Sequence, residues 1–511
     1  MGSCKDNSYA QWFDWSNTNW DLFANFCATI SWNSVFLECR CADDCWSVFY
    51  DILYSGINKF MPIKHISASH QSSSIVKDLN VRHSGPVLKL QRKKKELWRS
   101  MKNRPTAVKY AKFKKCTLAI KTAIVDKITK NEQIIIQSKN RGALYSHINK
   151  RLTHKAGIAP IHDSFGVVVT DDLAKAEVLN AHFINVGTVD DGVLPAHNRV
   201  VPIDTNISLI YFDACDIFNV IHSLDLKCSP GPDGIPCILV KQLVHVLCIP
   251  FAILFNLIFQ FGEVPNEWKC AIVKPIFKKG NSSDPNNYRP ISLTSIICKV
   301  YESIIKDKLL SYLNSNALIS KAQHGFLKSH STVTNLMEAL NDWTSCLDHK
   351  KSVRILYVDF AKAFDSVSSS KLLIKLKGFG IEGLLLSGIK SFLTNRHQRV
   401  KVGRVLSSVL TVISGVPQGS VLGPFLFLLF INDLPSLIEE QVVSKLFADD
   451  LKAYSLDDYC SNPQSIQAGL DALNDWAKTW QLKLAVSKCG SLTLNGSSSL
   501  LFPDNLLLDD T

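Results

Sequence analysis

The feature that most constrains this chain is a carboxylate pair, Asp449-Asp450, set between two short apolar runs. Val442 to Phe447 reads as one strand and Leu451 to Tyr454 as the next. The turn between them would hold two negative charges at the tip of a buried hairpin. At about 4 Å and an effective dielectric near 20, such charges repel by roughly 4 kcal/mol. Five other Asp-Asp pairs, at 43–44, 171–172, 190–191, 457–458 and 509–510, lack these flanks and read as solvated loops. A hydrophobic hairpin keeps such a pair when a divalent cation neutralises it, and hard oxygen donors point to Mg²⁺ or Mn²⁺.

Asp359 supplies a third carboxylate. It ends Val353-Arg354-Ile355-Leu356-Tyr357-Val358, a run suited to a buried strand. Three carboxylates on two adjacent strands make a two-metal site for nucleotidyl transfer.

Around these residues the chain resembles the reverse transcriptases of non-LTR (LINE-type) retrotransposons. The motifs follow in order: Lys227-Cys228-Ser229-Pro230-Gly231-Pro232-Asp233-Gly234-Ile235-Pro236, Tyr288-Arg289-Pro290-Ile291-Ser292-Leu293, Gln323-His324-Gly325-Phe326, Asp359-Phe360-Ala361-Lys362-Ala363-Phe364-Asp365, Ser414-Gly415-Val416-Pro417-Gln418-Gly419-Ser420 and Phe447-Ala448-Asp449-Asp450. The resemblance implies an α+β fold: right-hand fingers and palm, an antiparallel palm sheet packed on helices, and a mostly helical N-terminal extension. It implies RNA-directed DNA polymerase activity, with two Mg²⁺ ions (or Mn²⁺), an RNA template, a DNA primer and deoxynucleoside triphosphates. Phe447 and the run Ser420-Val421-Leu422-Gly423-Pro424 argue against a group II intron maturase.

Roles follow by position. The resemblance implies that Asp359, Asp449 and Asp450 are the catalytic carboxylates and that the Phe360 backbone carbonyl would join them as a metal ligand. Lys278, Arg289, Gln418 and Gly419 would hold the nucleotide. Phe364, five residues past Asp359, would lie under the sugar and block a 2′-hydroxyl. Gly231, Asp233, Gly234, Gln323 and Gly325 would be template-contacting turns. Lys488 is a candidate proton donor to pyrophosphate. Asp365 is expected to cap a helix beginning near Ser368.

Five segments are expected. Residues 1–75 are a Trp/Cys-rich segment of short amphipathic helices, 76–155 a basic helical arm, and 156–225 a connection with a helix from Leu173 to Phe183. Fingers and palm run from 226 to 495, and a short tail covers 496–511. Lys89 to Lys155 holds about twenty Lys and Arg against three acids, a density that suggests a polyanion partner. Asp471 to Trp480 reads as a helix and Leu482 to Lys488 as the following strand. The upstream endonuclease and the thumb of the family are not found, which suggests a truncated copy. Departures at Ser329, His330 and Ala485 keep open a catalytically inactive nucleic-acid-binding remnant.

The first thirty residues lack an apolar signal core, and the fifteen cysteines show no disulfide pattern. The expectation is an intracellular protein, nuclear or cytoplasmic and not secreted. The apolar run Val246 to Phe261 is short for a bilayer and contains Pro250 and Asn256, so it reads as a buried helix. No membrane partner is expected, and the pattern says nothing of oligomeric state.

Overall fold

The computed structural model describes residues 10–66, 85–103, 106–137, 157–196, 199–438, 442–455 and 464–494. The expected tail at 496–511 and the two ends of the basic arm lie outside them. The chain divides into two compact units. In the smaller, the strand Ala10–Phe13 pairs antiparallel with Ile63–Ile66. The helices Gly85–Asn103 and Ala107–Gln137 pack together as a hairpin. Trp98 meets Phe113 at 5.7 Å between ring centroids, and the Lys94 ammonium lies 5.3 Å from the Phe113 ring.

The larger unit is α+β. Its core helix is Val244–Phe261, apolar on every side and ended by Gly262 in the left-handed conformation. This one described helix is long and apolar enough to cross a membrane. In the fold it packs against Ala42–Phe60, with Phe251 5.2 Å from Phe49. Trp46, Trp268, Phe255, Tyr301 and Phe212 continue that contact as a chain of ring pairs 4.8 to 6.2 Å apart.

Two sheets flank this core. The first is mixed: Leu410–Val412, Arg396–Val402, Cys270–Phe277 and Tyr288–Leu293 in that order, with Val405–Leu406 hairpinned onto Arg396–Val402. The helix Asp172–Asn185 covers it through Ala176, Leu179 and Phe183. The second is antiparallel and has four strands: Val443–Phe447, Asp450–Tyr454, Val353–Val358 and Gly490–Leu494. Thr332–Asp348 packs on it through Ala339, Trp343 and Cys346.

One expected strand is displaced. Leu482 to Lys488 does not join the sheet as a strand. Ala361 and Lys483 share a backbone hydrogen bond of 2.8 Å, as do Ala485 and Asp359, so this stretch makes only an isolated bridge at Phe360–Leu484. A 3-10 turn, Val486–Lys488, then interrupts the pairing before the chain continues antiparallel to Val353–Val358 as the strand Gly490–Leu494.

The helix Leu422–Phe430 packs on Ile296–Ser315 and Ser369–Gly378, and its eight apolar side chains and Gly423 leave it almost wholly buried. Its first N–H groups would be orphaned inside the core. Glu302, 1% exposed on Ile296–Ser315, accepts from Val421 N at 2.8 Å and Leu422 N at 2.9 Å. Burial raises the Glu302 pKa, and these two N–H donors hold it back. Glu302→Ala leaves both donors unsatisfied, so denaturant unfolding should show a loss of roughly 2–4 kcal/mol. An unchanged midpoint would mean that water replaces the carboxylate.

Candidate active site

Strand register builds the site. Leu451 lies opposite Val358 across the antiparallel pair, so one residue further Asp450 comes beside Asp359. Phe447 pairs with Asp450, which leaves Ala448 and Asp449 as a two-residue turn. Ala448 has φ +55°, the positive value that the first residue of such tight hairpin turns requires and that a side chain disfavours. Asp449 thus stands at the tip, Asp450 at the strand start, and Asp359 at the neighbouring strand end.

The electrostatics confirm that the three are neighbours. Burial raises the pKa of Asp449, and the charges of Asp450 and Asp359 raise it further; Arg289 opposes them. Burial also raises Asp450, with Asp359 adding to it and Lys278 and Lys488 opposing. The Lys488 ammonium sits 2.7 Å from Asp359 Oδ2. Lys278 has its own pKa lowered, first by partial burial and then by Arg289, Lys488 and Lys279. Lys278 and Arg289 come from the two strands of one hairpin, whose register places Ile276 opposite Arg289. The structure therefore brings Asp359, Asp449, Asp450, Lys278, Arg289 and Lys488 within electrostatic reach of one another, and Asp359, Asp450 and Lys488 line one cleft. Tyr357 and Leu336 form part of its wall.

Among the described residues no three His, Cys, Asp or Glu side chains already converge as a metal cage. A cage is not what Mg²⁺ needs: it is held by one or two carboxylates and completed by water and substrate phosphates. The donors fit. They are hard oxygens with an excess of like charge, shown by the raised pKa values of Asp449 and Asp450. The Phe360 ring is buried 6.2 Å from Trp476, and the bridge to residue 484 uses Asp359 O and the Ala361 N–H. The carbonyl of Phe360 stays outside those bonds.

Phe364 stacks on Phe427 at 4.4 Å and meets Phe326 edge-on at 6.0 Å. It is half-buried. Gln418 is committed: its Nε2 donates to Asp365 Oδ1 at 2.8 Å, and its carbonyl accepts from Ser292 N at 2.7 Å. Gly419 has φ +120°, and a Cβ there would lie 2.3 Å from Ser292 O. Its glycine is explained by packing on the strand Tyr288–Leu293.

Several sequence expectations are corrected. Asp365 does not cap the following helix. Ser368 does, accepting from Lys371 N, and Asp365 lies half-buried, with desolvation pushing its pKa up to about 6 and its Oδ1 accepting from Gln418 Nε2. Asp233 is 6% exposed, accepts from Ile235 N, and is pushed up to about 6 by burial, so it braces its own turn. Gly231 is buried, and a Cβ there would lie 2.5 Å from Ser295 N; it joins that turn to the helix Ile296–Ser315. Only Gly234 of this group is exposed, with φ +70°. Gln323 and Gly325 are also inside, against the Ala448 turn. Sequence reading missed this bracing because its partners lie more than a hundred residues apart.

Comparison with known proteins agrees with the geometry. Residues 276–499 match the family model described as reverse transcriptase (RNA-dependent DNA polymerase). The chain is 29% identical over 373 residues to a probable RNA-directed DNA polymerase from transposon X-element of Drosophila melanogaster, covering 68% of this chain and 39% of that protein. It is 32% identical over 286 residues to the RNA-directed DNA polymerase from mobile element jockey of the same species, covering 54% and 31%. With the polymerase from transposon BS it shares 30% over 307 residues, covering 58% and 34%. The chain thus spans between 31% and 39% of the length of these relatives.

The crowded carboxylates make a stability prediction. A folded-state pKa raised above the unfolded value favours the protonated form. That contribution is present at low pH and is lost as pH rises through the folded pKa. At neutral pH and without metal, Asp450→Asn should therefore stabilise the chain, and the gain should shrink as pH falls towards 4. Denaturant midpoints in chelator at several pH values check this; equal midpoints at pH 7.5 would refute it.

Proposed function

With residues 276–499 a reverse transcriptase domain, we propose that the chain is an RNA-directed DNA polymerase of the LINE type. It would transfer deoxynucleotides to a primer 3′-hydroxyl on an RNA template. The observation that carries this is the strand register that sets Asp450 beside Asp359, with Asp449 at the turn and cations at the rim. In this reading the four-stranded sheet is the palm. The hairpin of Cys270–Phe277 and Tyr288–Leu293 belongs to the fingers.

Asp359 and Asp449, with Asp450 and the Phe360 carbonyl, would hold two Mg²⁺ ions, which when bound supply charge neutralisation at the 3′-hydroxyl and the departing pyrophosphate. Lys278 and Arg289 would grip the triphosphate, Arg289 through its planar fork. Lys488, whose ammonium lies beside Asp359, would donate an Nζ proton to the departing pyrophosphate. Phe364, backed by Phe427, would close the space below the sugar so that a 2′-hydroxyl clashes.

Charge supports a nucleic-acid partner. Residues 85–137 carry 15 Lys and Arg against three acids, which equals the whole net charge of +12. The rest of the chain is balanced. The basic helical hairpin would therefore supply most of the phosphate attraction.

Three measurements test the reading. Asp449→Asn or Asp359→Asn should abolish Mg²⁺-dependent primer extension while RNA affinity stays within about twofold; surviving activity would overturn the metal assignment. Phe364→Val should raise ribonucleotide incorporation by an order of magnitude or more, since the barrier is steric. Deleting residues 76–155 should weaken RNA binding and flatten its salt dependence, because fewer counterions are released. An unaltered slope would show that the arm is a solvated surface.

A further inference from the structure

We propose that Gln323 is a positioning residue for the carboxylate turn. Its side-chain oxygen fixes the backbone of Ala448, and through it the place of Asp449. The assignment rests on the polymerase reading for its consequence, and on geometry for its substance.

Gln323 is 1% exposed. Its Oε1 accepts two backbone N–H groups, Gly325 at 2.6 Å and Ala448 at 3.1 Å. Two donors on one atom also fix which end of the amide is oxygen. Its Nε2 has no hydrogen-bond partner among the described residues. A buried amide with an orphaned donor is costly, and an apolar side chain of similar length would avoid the cost. What an apolar residue cannot do is accept from Ala448. A polar group kept at such a cost marks a place where local stability yields to function.

The surroundings are built for this contact. Residue 323 forms a parallel bridge with Leu446, and Leu446 O accepts from both His324 N and Asn335 Nδ2. The segment is thus laid along the hairpin strand, one residue before the turn. Gly325 lets it come that close, since a Cβ there would lie 2.3 Å from Ala448 N. Ala448 is the strained member, at φ +55°. Without an acceptor for its N–H, the turn can relax to a conformation with negative φ. That relaxation re-aims the very next residue, Asp449, away from Asp359.

The test uses the full chain. Gln323→Met removes the acceptor at similar volume. Hydrogen exchange at the Ala448 and Gly325 amides should accelerate at least tenfold. Mn²⁺ affinity, read by electron paramagnetic resonance, should fall at least fivefold. In primer extension kcat should drop tenfold or more, with KM for the nucleotide unchanged within twofold. Adding Ala448→Gly to the same chain should restore most of the Mn²⁺ affinity and kcat, because glycine takes a positive φ unaided. If Gln323→Met does not fold, Gln323→Asn withdraws the oxygen by one methylene and is read the same way.

Unchanged exchange and unchanged Mn²⁺ affinity in a folded variant would overturn the proposal. So would a loss that Ala448→Gly leaves in place, which would make Gln323 a packing residue only. Extension by the unaltered chain tests the polymerase reading separately. The exchange and Mn²⁺ measurements decide the brace whether or not a primer is extended.

Discussion

Like-charge crowding is the constraint on which this structure turns. Asp359, Asp449 and Asp450 are held near one another in a partly buried cleft, where two of the three resist ionisation. A chain left to minimise its own free energy would separate them. Here the antiparallel register Leu451–Val358 prevents separation, because sliding by one residue would turn every side chain of the strand to the other face. The buried members Ile355, Leu446, Leu451 and Tyr454 make that slip expensive. Hydrophobic burial thus supplies the energy that keeps the charges together.

Rigidity around the cleft comes from groups with no part in the chemistry. Glu302 ties Ile296–Ser315 to the start of Leu422–Phe430. Lys375, 1% exposed, donates to Phe430 O and Asp433 Oδ1, both at 2.6 Å, and lies 3.9 Å from the Trp480 ring. Burial pulls its pKa down to about 8, with Asp433 opposing. These buried charges act over long sequence separations, so they lock elements that local propensity leaves free.

Much of this was legible in the sequence, and the limits have a physical form. The hairpin, the strand before Asp359 and the helix Asp172–Asn185 follow from local periodicity, and they were read to within a residue or two. The carboxylates were legible because charge on an apolar hairpin is anomalous. Asp365, Asp233 and Gln323 were misread for one shared reason: motif position says that a residue matters, and only its partners say how. Asp233 and Gln323 are buried and Asp365 is half-buried, and each serves backbone or side-chain groups already in the fold. The strand expected at Leu482 to Lys488 has apolar alternation, yet the chain past Asp359 leaves only enough backbone there for a bridge. The sheet edge is open further along, at Gly490–Leu494.

Lys488 shows how these levels meet. It ends the 3-10 turn that replaces the expected strand, and the turn exists because residues 483–485 bond to the backbone on both sides of Phe360. That same bonding sets the Lys488 ammonium against Asp359. A cation on a flexible, half-exposed stem neutralises one carboxylate of three and can swing aside, since its rotamer freedom is recovered when it leaves. The displaced strand and the mobile counter-charge are therefore one arrangement. The detour that defeats a local reading of 482–488 is what brings an exchangeable cation to the carboxylates.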